Sequence, residues 1–98
     1  MKIFISQPMN GLTSDDIMVK RRKIIDKCYK KYGNDVTFLS SYFQGVLIEH
    51  PPLYWLSKSL ELLAEADLAV FTGNWRDHRG CRIEYMCAKE YGIPIVYM

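Results

Sequence analysis

Short apolar runs separated by longer amphipathic stretches form the main pattern of this chain. Each run carries apolar side chains at consecutive positions, which is typical of a strand that is buried on both faces. Glycine, proline and asparagine residues close most of the runs and favour turns there. The pattern predicts strands at Lys2–Ser6, Asp35–Ser40, Leu68–Phe71 and Ile95–Tyr97.

The stretches between these strands carry apolar residues at helical spacing and predict helices. We place the helices from Asp15 to about Tyr32, from Leu53 to Glu65 and from Arg79 to Tyr91. The segment Ser41–Pro52 contains a glycine and a proline pair, so it suits a loop or a short helical turn. The side chains expected to face inward are Ile17, Ile24, Cys28 and Tyr32 in the first helix, Leu56, Leu60 and Leu63 in the second, and Ile83, Met86 and Cys87 in the third.

The alternation of strands and helices predicts a three-layer α/β fold, with helices on both faces of a parallel sheet. Right-handed crossovers restrict the topology, and we expect a four-stranded sheet in the order 2-1-3-4, a trimmed flavodoxin-like arrangement. Ligands in such folds bind beyond the carboxyl ends of the strands. The loops Ser6–Gly11 and Thr72–Arg79 are therefore expected to share one crevice.

Composition limits the classes of protein to which the chain can belong. With 98 residues, of which 49% are hydrophobic, one domain spanning residues 1–98 is expected. The net charge of +2 argues against a nucleic acid polymer as partner, and we interpret the basic residues between Lys20 and Lys31 as a solvated helix face rather than a polyanion-binding one. The apolar runs are too short for a membrane span, and the first residues lack a signal-peptide pattern.

The cysteines Cys28, Cys81 and Cys87 are odd in number and lack the paired spacing of a metal site. Neither a disulfide framework nor a zinc site is therefore expected. A reducing, cytoplasmic location fits this usage of cysteine best.

The first crevice loop offers backbone amides beside a helix N-terminus, where a phosphate or a sugar hydroxyl can bind. It lacks a Walker or dinucleotide glycine pattern, so a plain strand-to-helix turn is the alternative interpretation. The candidate substrate-binding residues in this loop are Ser6, Gln7, Pro8, Met9, Asn10 and Gly11.

The second crevice loop adds the candidate substrate-binding residues Gly73, Asn74 and Trp75, and Arg79 and Gly80 follow at the start of the last predicted helix. The indole of Trp75 could stack on a nucleobase, or it could simply cover the core. The sequence leaves both alternatives open.

Glu84 is the most informative carboxylate of the chain. It lies within about the first turn of the last predicted helix, where a helix N-terminus favours the ionised form. An ionised carboxylate at the crevice could attack or stabilise the anomeric carbon of a ribosyl group, as in glycoside cleavage. The alternative is that Glu84 only caps the helix.

Two sets of motifs resemble the nucleoside 2-deoxyribosyltransferase-like superfamily. From Ala66 and Asp67 through the buried strand to Gly80, Glu84 and Ala88, the chain is similar to the segment that carries the nucleophilic glutamate in nucleoside 2-deoxyribosyltransferases and in the related deoxynucleoside 5′-monophosphate N-glycosidases. Small phage-associated proteins of unknown function in the same superfamily resemble the chain more closely still. Their matching positions are Ile5, Ser6, Gln7, Pro8, Met9, Gly11, Trp75, Arg79, Gly80, Cys81 and Glu84.

The resemblance implies an enzyme that cleaves the bond between base and deoxyribose, with Glu84 as nucleophile, a small-molecule nucleoside or nucleotide as substrate, and neither cofactor nor metal. It also implies a homodimer or a higher homo-oligomer. The candidate interface is an aromatic patch formed by Tyr42, Phe43, Tyr54 and Trp55, and the alternative is that these side chains fill the core.

The chain departs from these relatives at three positions. Ser59, included among the candidate substrate-binding residues, stands where the characterised enzymes have a second catalytic aspartate, and Met86 replaces a glycine. Asn10 stands where the small proteins often carry arginine. Asp67 is a carboxylate too, but it lies at the start of its strand, away from the crevice, and is interpreted as structural.

Three functional hypotheses follow from the sequence. The first is the deoxyribosyltransferase or N-glycosidase, and the second is a nucleotide-binding module without catalysis, which Ser59 favours. The third is thiol chemistry at Cys81, because a helix N-terminus beside Arg79 and Arg82 can lower the pKa of a thiol.

Overall fold

The computed structural model of the protein describes residues 1–40 and 50–98. Within these ranges every predicted strand and helix is present, and no end differs from its predicted place by more than two residues. A single 3₁₀ turn at Trp75–Asp77 interrupts the second crevice loop. The elements are β1 at Lys2–Ser6, α1 at Ser14–Tyr32, β2 at Thr37–Leu39, α2 at Pro52–Leu63, β3 at Leu68–Phe71, α3 at Arg79–Glu90 and β4 at Ile95–Tyr97.

The strands form one parallel sheet in the order β2-β1-β3-β4, which confirms the predicted fold class and strand order. In the centre of the sheet Ser6 pairs with Phe71, so the carboxyl ends of β1 and β3 lie side by side. At the opposite end of β1, Asp67 accepts a hydrogen bond from the backbone N–H of Lys2 at 2.7 Å. Asp67 therefore has the structural role expected of it, away from the crevice.

The core has two halves, because successive side chains of a strand point to opposite faces of the sheet. One half lies between the sheet and the helices α2 and α3, and the other lies between the sheet and α1. The α2/α3 half is built around Phe4, Leu63, Ala69, Phe71, Trp75, Cys81 and Ala88, and the α1 half around Ile3, Ile5, Ile24, Cys28, Leu68 and Val70.

Both ends of α1 carry the local signals that set helix boundaries. The Thr13 hydroxyl accepts a hydrogen bond from the N–H of Asp16 at 3.1 Å, and the Asp16 carboxylate accepts one from the N–H of Thr13, which completes a capping box. At the other end Gly33 has a φ of 83°, which favours glycine, and its N–H bonds to the carbonyl of Tyr29 at 2.9 Å. The helix therefore begins and ends where its sequence directs.

The inward face of α1 agrees with prediction at Ile17, Ile24 and Cys28, which are buried. Arg21 is buried on the same face, which the apolar pattern did not predict. Its Nη2 donates to the carbonyl oxygen of Leu39 at 3.0 Å and so links the helix to the carboxyl end of β2.

The inward face of α3 differs from prediction. Met86 is 64% exposed, and the buried positions are Cys81, Glu84 and Ala88, with Ile83 and Cys87 only half-buried. The prediction placed the larger apolar side chains inside. The helix instead turns a thiol and a carboxyl toward the sheet, because both find hydrogen-bond partners there.

The structure describes only part of the predicted oligomer interface, since Tyr42 and Phe43 lie outside the described residues. Tyr54 is exposed and stacks on His50 with ring centroids 3.8 Å apart, while Trp55 is half-buried. The oligomeric state stays a prediction. In residues 1–40 and 50–98, the structure contains no helix with both the length and the apolar character of a membrane span.

Candidate functional site

A buried carboxyl group and two serine hydroxyls meet at the carboxyl end of β1. Ser6 is the last residue of that strand, and its side chain points to the α2/α3 side of the sheet. Its Oγ donates a hydrogen bond to Oε1 of Glu84 at 2.7 Å, and the Ser59 hydroxyl also bonds the Glu84 carboxyl. We call Ser6, Ser59 and Glu84 the carboxyl cluster.

Three elements distant in sequence position this cluster. β1 supplies Ser6, the buried inner face of α2 supplies Ser59, and the second turn of α3 supplies Glu84. Only 7% of the Glu84 surface is exposed. Ser59 stands where the characterised enzymes have a second catalytic aspartate. It contacts Glu84, the carboxylate that is expected to be the nucleophile.

The protonation of Glu84 differs from the sequence expectation. Burial raises its pKa from the ordinary 4.5 to about 7, and the hydrogen bonds from Ser6 and Ser59 oppose this rise only in part. We expected the helix N-terminus to favour the ionised form of Glu84, but the raised pKa favours the protonated form. Glu84 is the sixth residue of α3 and lies in its second turn, where loss of hydration outweighs the favourable end of the helix.

The Ser6 hydroxyl offers a direct test of this balance. Ser6→Ala is expected to raise the pKa of Glu84 further, by roughly one to two units, because a hydrogen bond to a charged group contributes roughly 1.5–3 kcal/mol. NMR titration of the side-chain carboxyl carbon of Glu84 measures this change. Ser57→Ala is the matched control, since the exposed Ser57 hydroxyl donates to the carbonyl of Tyr54 instead. An unchanged titration in Ser6→Ala would show that Ser6 does not stabilise the carboxylate.

Cys81 lies beside the carboxyl cluster. The pKa of its thiol is raised, whereas the third hypothesis requires a lowered pKa. Cys81 is buried, and this burial raises the pKa of its thiol; a hydrogen bond with Ser6 opposes the rise, while the charge of Glu84 adds to it. A buried thiol with a raised pKa is a poor nucleophile. The lowered thiol pKa on which the hypothesis of thiol chemistry at Cys81 rests is therefore wrong.

The side chain of Gln7 points to the opposite side of the sheet from that of Ser6. Its Nε2 donates to the carbonyl oxygen of Ile17 in α1 at 2.7 Å. Ser6 and Gln7 are consecutive residues, and their side chains lie on opposite faces of the sheet, as successive side chains of a strand do. Both residues were predicted to face one crevice.

A cavity of about 230 Å³ lies where Gln7 points, between the two loops and α1. The first loop lines it with Gln7, Pro8 and Asn10, together with Leu12. The second loop contributes Thr72, Gly73, Asn74 and His78, and α1 contributes Lys20. The two predicted loops therefore do share a crevice, but the carboxyl cluster is not part of its lining.

Lys20, Thr72 and His78 were not among the predicted site residues. Lys20 was counted with the solvated face of α1, although it follows Ile17 by three positions and so lies on a neighbouring part of the helix surface. Helical spacing from Ile17 was the signal that could have identified it. His78 lies directly before α3, at the loop end that faces ligands in such folds.

Trp75 covers the core and is not displayed to a ligand. It is 7% exposed, and its ring centroid lies 4.6 Å from that of Tyr85 and 5.1 Å from that of Phe71. Arg76 lies over the ring, with its guanidinium carbon 5.1 Å from the centroid. Of the two alternatives for this indole, the structure supports the packing role over the stacking one.

The remaining candidates lie at the rim of the site. Arg79 and Gly80 are exposed in the first turn of α3, and neither lines the cavity. A methyl group added at Gly80 would meet no atom within 4 Å in the described part of the chain. Gly11 has a φ of 79°, so the first loop needs a glycine there for its conformation. Met9 is half-buried.

Comparison with known families identifies the family of the chain. A family model described as a domain of unknown function, DUF4406, matches residues 1–97. The chain belongs to the DUF4406 family. A search of the curated proteins found no match.

Metal-binding groups are not gathered in the part of this DUF4406 domain that the structure describes. Residues 1–40 and 50–98 contain no cluster of three or more histidine, cysteine, aspartate or glutamate side chains that could hold a metal ion. The side chains that form the carboxyl cluster are one carboxyl group and two hydroxyls.

Proposed function

We propose that this DUF4406 domain cleaves the bond between base and deoxyribose in a nucleoside or nucleotide, as a 2-deoxyribosyltransferase or an N-glycosidase, with Glu84 as the nucleophile. The observation that carries the proposal is the carboxyl cluster, in which two hydroxyls hold a carboxyl group with a pKa of about 7 at the ligand-binding edge of the sheet. The family is generally associated with the nucleoside deoxyribosyltransferase-like fold, which adds support.

The proposed reaction has two steps. An ionised oxygen of Glu84 attacks C1′ of the deoxyribose while the bond from C1′ to the base nitrogen breaks, and the bonding electrons leave with the base. Water supplies the proton that neutralises the base nitrogen. The deoxyribosyl ester of Glu84 is then attacked at C1′ by water or by a second base, and the carboxylate leaves with the electrons of the ester bond. The attacking group loses its proton to the hydroxide that the first step leaves, which restores water.

The serines of the cluster act through Glu84 in this proposal. Ser6 is 1% exposed and its hydroxyl is bonded to Glu84, so in this proposal it is a positioning residue, while its role in substrate binding stays a prediction. Ser59 has the same role. Their hydrogen bonds keep part of the Glu84 population ionised at neutral pH, which a buried carboxyl needs if it is to act as a nucleophile.

Base release is the test of this proposal. Wild-type protein incubated with the deoxynucleosides and their 5′-monophosphates is expected to liberate free base from at least one of them, measured by liquid chromatography. Glu84→Gln is expected to reduce the rate by at least about a thousandfold, since it removes the nucleophile. Glu90→Gln, the same change at an exposed position of α3, should retain the wild-type rate.

Two results would count against the proposal. Release by Glu84→Gln at the wild-type rate would exclude Glu84 as the nucleophile. Absence of release from every deoxynucleoside and monophosphate would remove the reaction itself.

A nucleotide-binding module without catalysis is the second candidate. The cavity favours it, because neither Glu84 nor Ser59 is among the residues that line the space between the loops. In that case the wild-type protein binds nucleotide, and no base is released over the same incubation. Equilibrium binding measured beside the base-release assay separates the two candidates.

A further inference from the structure

β4 is an edge strand of the parallel sheet, since within the described residues it pairs only with β3. The carbonyl of Pro94 and the N–H of Met98 form their hydrogen bonds with β3. Because the backbone groups of a strand alternate in direction, those of Val96 face β3 too, whereas the N–H and C=O groups of Ile95 and Tyr97 face the open edge. Such a row of backbone groups is a template on which another strand can pair.

β4 lacks the side chains by which proteins usually protect an exposed edge. Ile95, Val96 and Tyr97 are uncharged, and Tyr97 is 56% exposed. Pro94 lies before the strand, where its carbonyl bonds to the N–H of Ala69. A charged side chain or a proline within the strand would discourage pairing, and β4 has neither.

Basic side chains lie near this edge on the α2/α3 side of the sheet. The Tyr97 hydroxyl donates to that of Tyr85 at 3.3 Å, and the rings of Tyr97 and Trp75 are stacked with centroids 6.1 Å apart. The Nζ of Lys89 lies 5.9 Å from the centroid of Tyr85, and the guanidinium carbon of Arg76 lies 5.1 Å from that of Trp75. The aromatic rings thus hold two cations beside the exposed end of β4.

A third cation is connected to this group. Arg82 is exposed on α3, and its Nη1 donates to the carbonyl oxygen of Arg76 at 2.9 Å. We call Arg76, Arg82 and Lys89 the basic rim. In the part of the chain that the structure describes, the only ion pair joins Lys58 to Glu61, so no described carboxylate is paired with the rim.

The α1 side of the same edge is apolar. Val96 and Met98 point to that side and pack against the α1 half of the core, but both are only half-buried. Successive side chains of an added strand would point to opposite faces of the sheet. One set would therefore lie beside the basic rim, and the other would lie beside Val96 and Met98.

We propose that β4 is a docking edge for an extended segment of another protein, in which acidic and apolar side chains alternate. The segment pairs with the backbone groups of Ile95 and Tyr97, its acidic side chains lie beside the basic rim, and its apolar side chains cover Val96 and Met98. The proposal goes beyond the proposed function, because it uses neither the carboxyl cluster nor the cavity between the loops.

A second copy of this chain is a poorer occupant of the edge. Two copies that pair through β4 about a two-fold axis would form one continuous sheet, with the basic rims of both copies on the same face. Like charges brought together across an interface repel one another. An acidic segment instead supplies the charge that the rim lacks.

Calorimetric titration of the full chain with short blocked peptides tests the proposal. A peptide of alternating glutamate and valine is expected to bind at least about tenfold more tightly than the same peptide with lysine in place of each glutamate. The double variant Arg82→Gln, Lys89→Gln is expected to weaken binding of the glutamate peptide about fivefold. The double variant Lys27→Gln, Lys30→Gln is the matched control, because it makes the same change in net charge at exposed positions of α1 and should leave affinity unchanged.

Backbone pairing has a test of its own. Two further glutamate–valine peptides carry N-methyl groups on the backbone nitrogens of either the glutamates or the valines. Because alternate N–H groups of a strand face opposite edges, only one set can donate to β4. Loss of binding in one of the two peptides supports the pairing, and equal affinities of the two overturn it.

Three further results would overturn the proposal. The first is equal affinity of the glutamate and lysine peptides. The second is an equal loss of affinity in the two double variants, which would show attraction to positive charge anywhere on the surface. The third is a dimer, seen by analytical ultracentrifugation, that Arg82→Gln, Lys89→Gln strengthens and that does not bind the peptide, because a second copy would then occupy the edge.

Discussion

Glu84→Gln is expected to change the free energy of unfolding by different amounts at different pH. Relative to the wild type, the variant should gain about 3 kcal/mol of stability between about pH 4.5 and about pH 8.5. Burial raises the pKa of Glu84 from 4.5 to about 7, so between these values the folded protein keeps a proton that the unfolded chain has released. The free energy of unfolding of the wild type therefore falls as pH rises through this window and levels off above it. Glutamine does not titrate, so the variant lacks this loss.

The measurement is urea denaturation of both proteins across this pH range. Glutamine preserves the shape of the cluster, and its amide oxygen can accept the hydrogen bond of Ser6. Glu90→Gln is the control, because Glu90 is exposed on the same helix and its variant should follow the wild type at every pH. A constant difference between wild type and Glu84→Gln from pH 4.5 to 8.5 would contradict the raised pKa.

The stability of Glu84→Gln also shows whether a loss of base release comes from unfolding or from loss of the nucleophile. A variant that is at least as stable as the wild type at neutral pH cannot lose activity through unfolding. Loss of base release in Glu84→Gln would then report on chemistry. In the proposed reaction, the ionised form of Glu84 that acts as nucleophile is also the form that burial destabilises, so stability and the proposed activity oppose one another.

The sheet could be predicted from the sequence because its signals are local. Leu68–Phe71 is a run of consecutive apolar residues between polar ones, and right-handed crossovers leave few ways to join four such strands. Gly33 ends α1 at a position that needs a positive φ, which is likewise encoded in one residue. Local rules of this kind determine elements and their order.

The site could be predicted only in part, because its geometry depends on contacts between distant residues. Ser6, Ser59 and Glu84 were all candidates, yet their mutual hydrogen bonds depend on which way α2 and α3 turn against the sheet. The apolar pattern of α3 was right for Cys87, which packs against the core, but wrong for Met86, and it missed Glu84, since hydrophobicity alone does not reveal that a carboxyl has partners inside. The opposite directions of the Ser6 and Gln7 side chains follow from the alternation of side chains along a strand. They could be predicted only by continuing that alternation from the last residue of β1, Ser6, to Gln7.

Trp75 illustrates how the same residue type serves different roles depending on its burial. An aromatic side chain after a strand is compatible with base stacking or with core packing, and its sequence position does not distinguish them. In the structure, Trp75 packs among Phe71, Tyr85 and Tyr97 on the α2/α3 side of the sheet. The two roles predict different results when the indole is removed.

Trp75→Ala is expected to destabilise the fold by roughly 3–5 kcal/mol, because it removes a large buried side chain and leaves a cavity beside Phe71 and Tyr85. Trp75→Phe keeps a ring in that place and should lose much less, so it is the matched variant. Thermal or urea denaturation measures both. If Trp75 instead stacked on a base, Trp75→Ala would leave stability near that of the wild type while nucleotide affinity fell. Because the ring is 7% exposed and in contact with other aromatic rings, we expect loss of stability in Trp75→Ala, with Trp75→Phe retaining the fold.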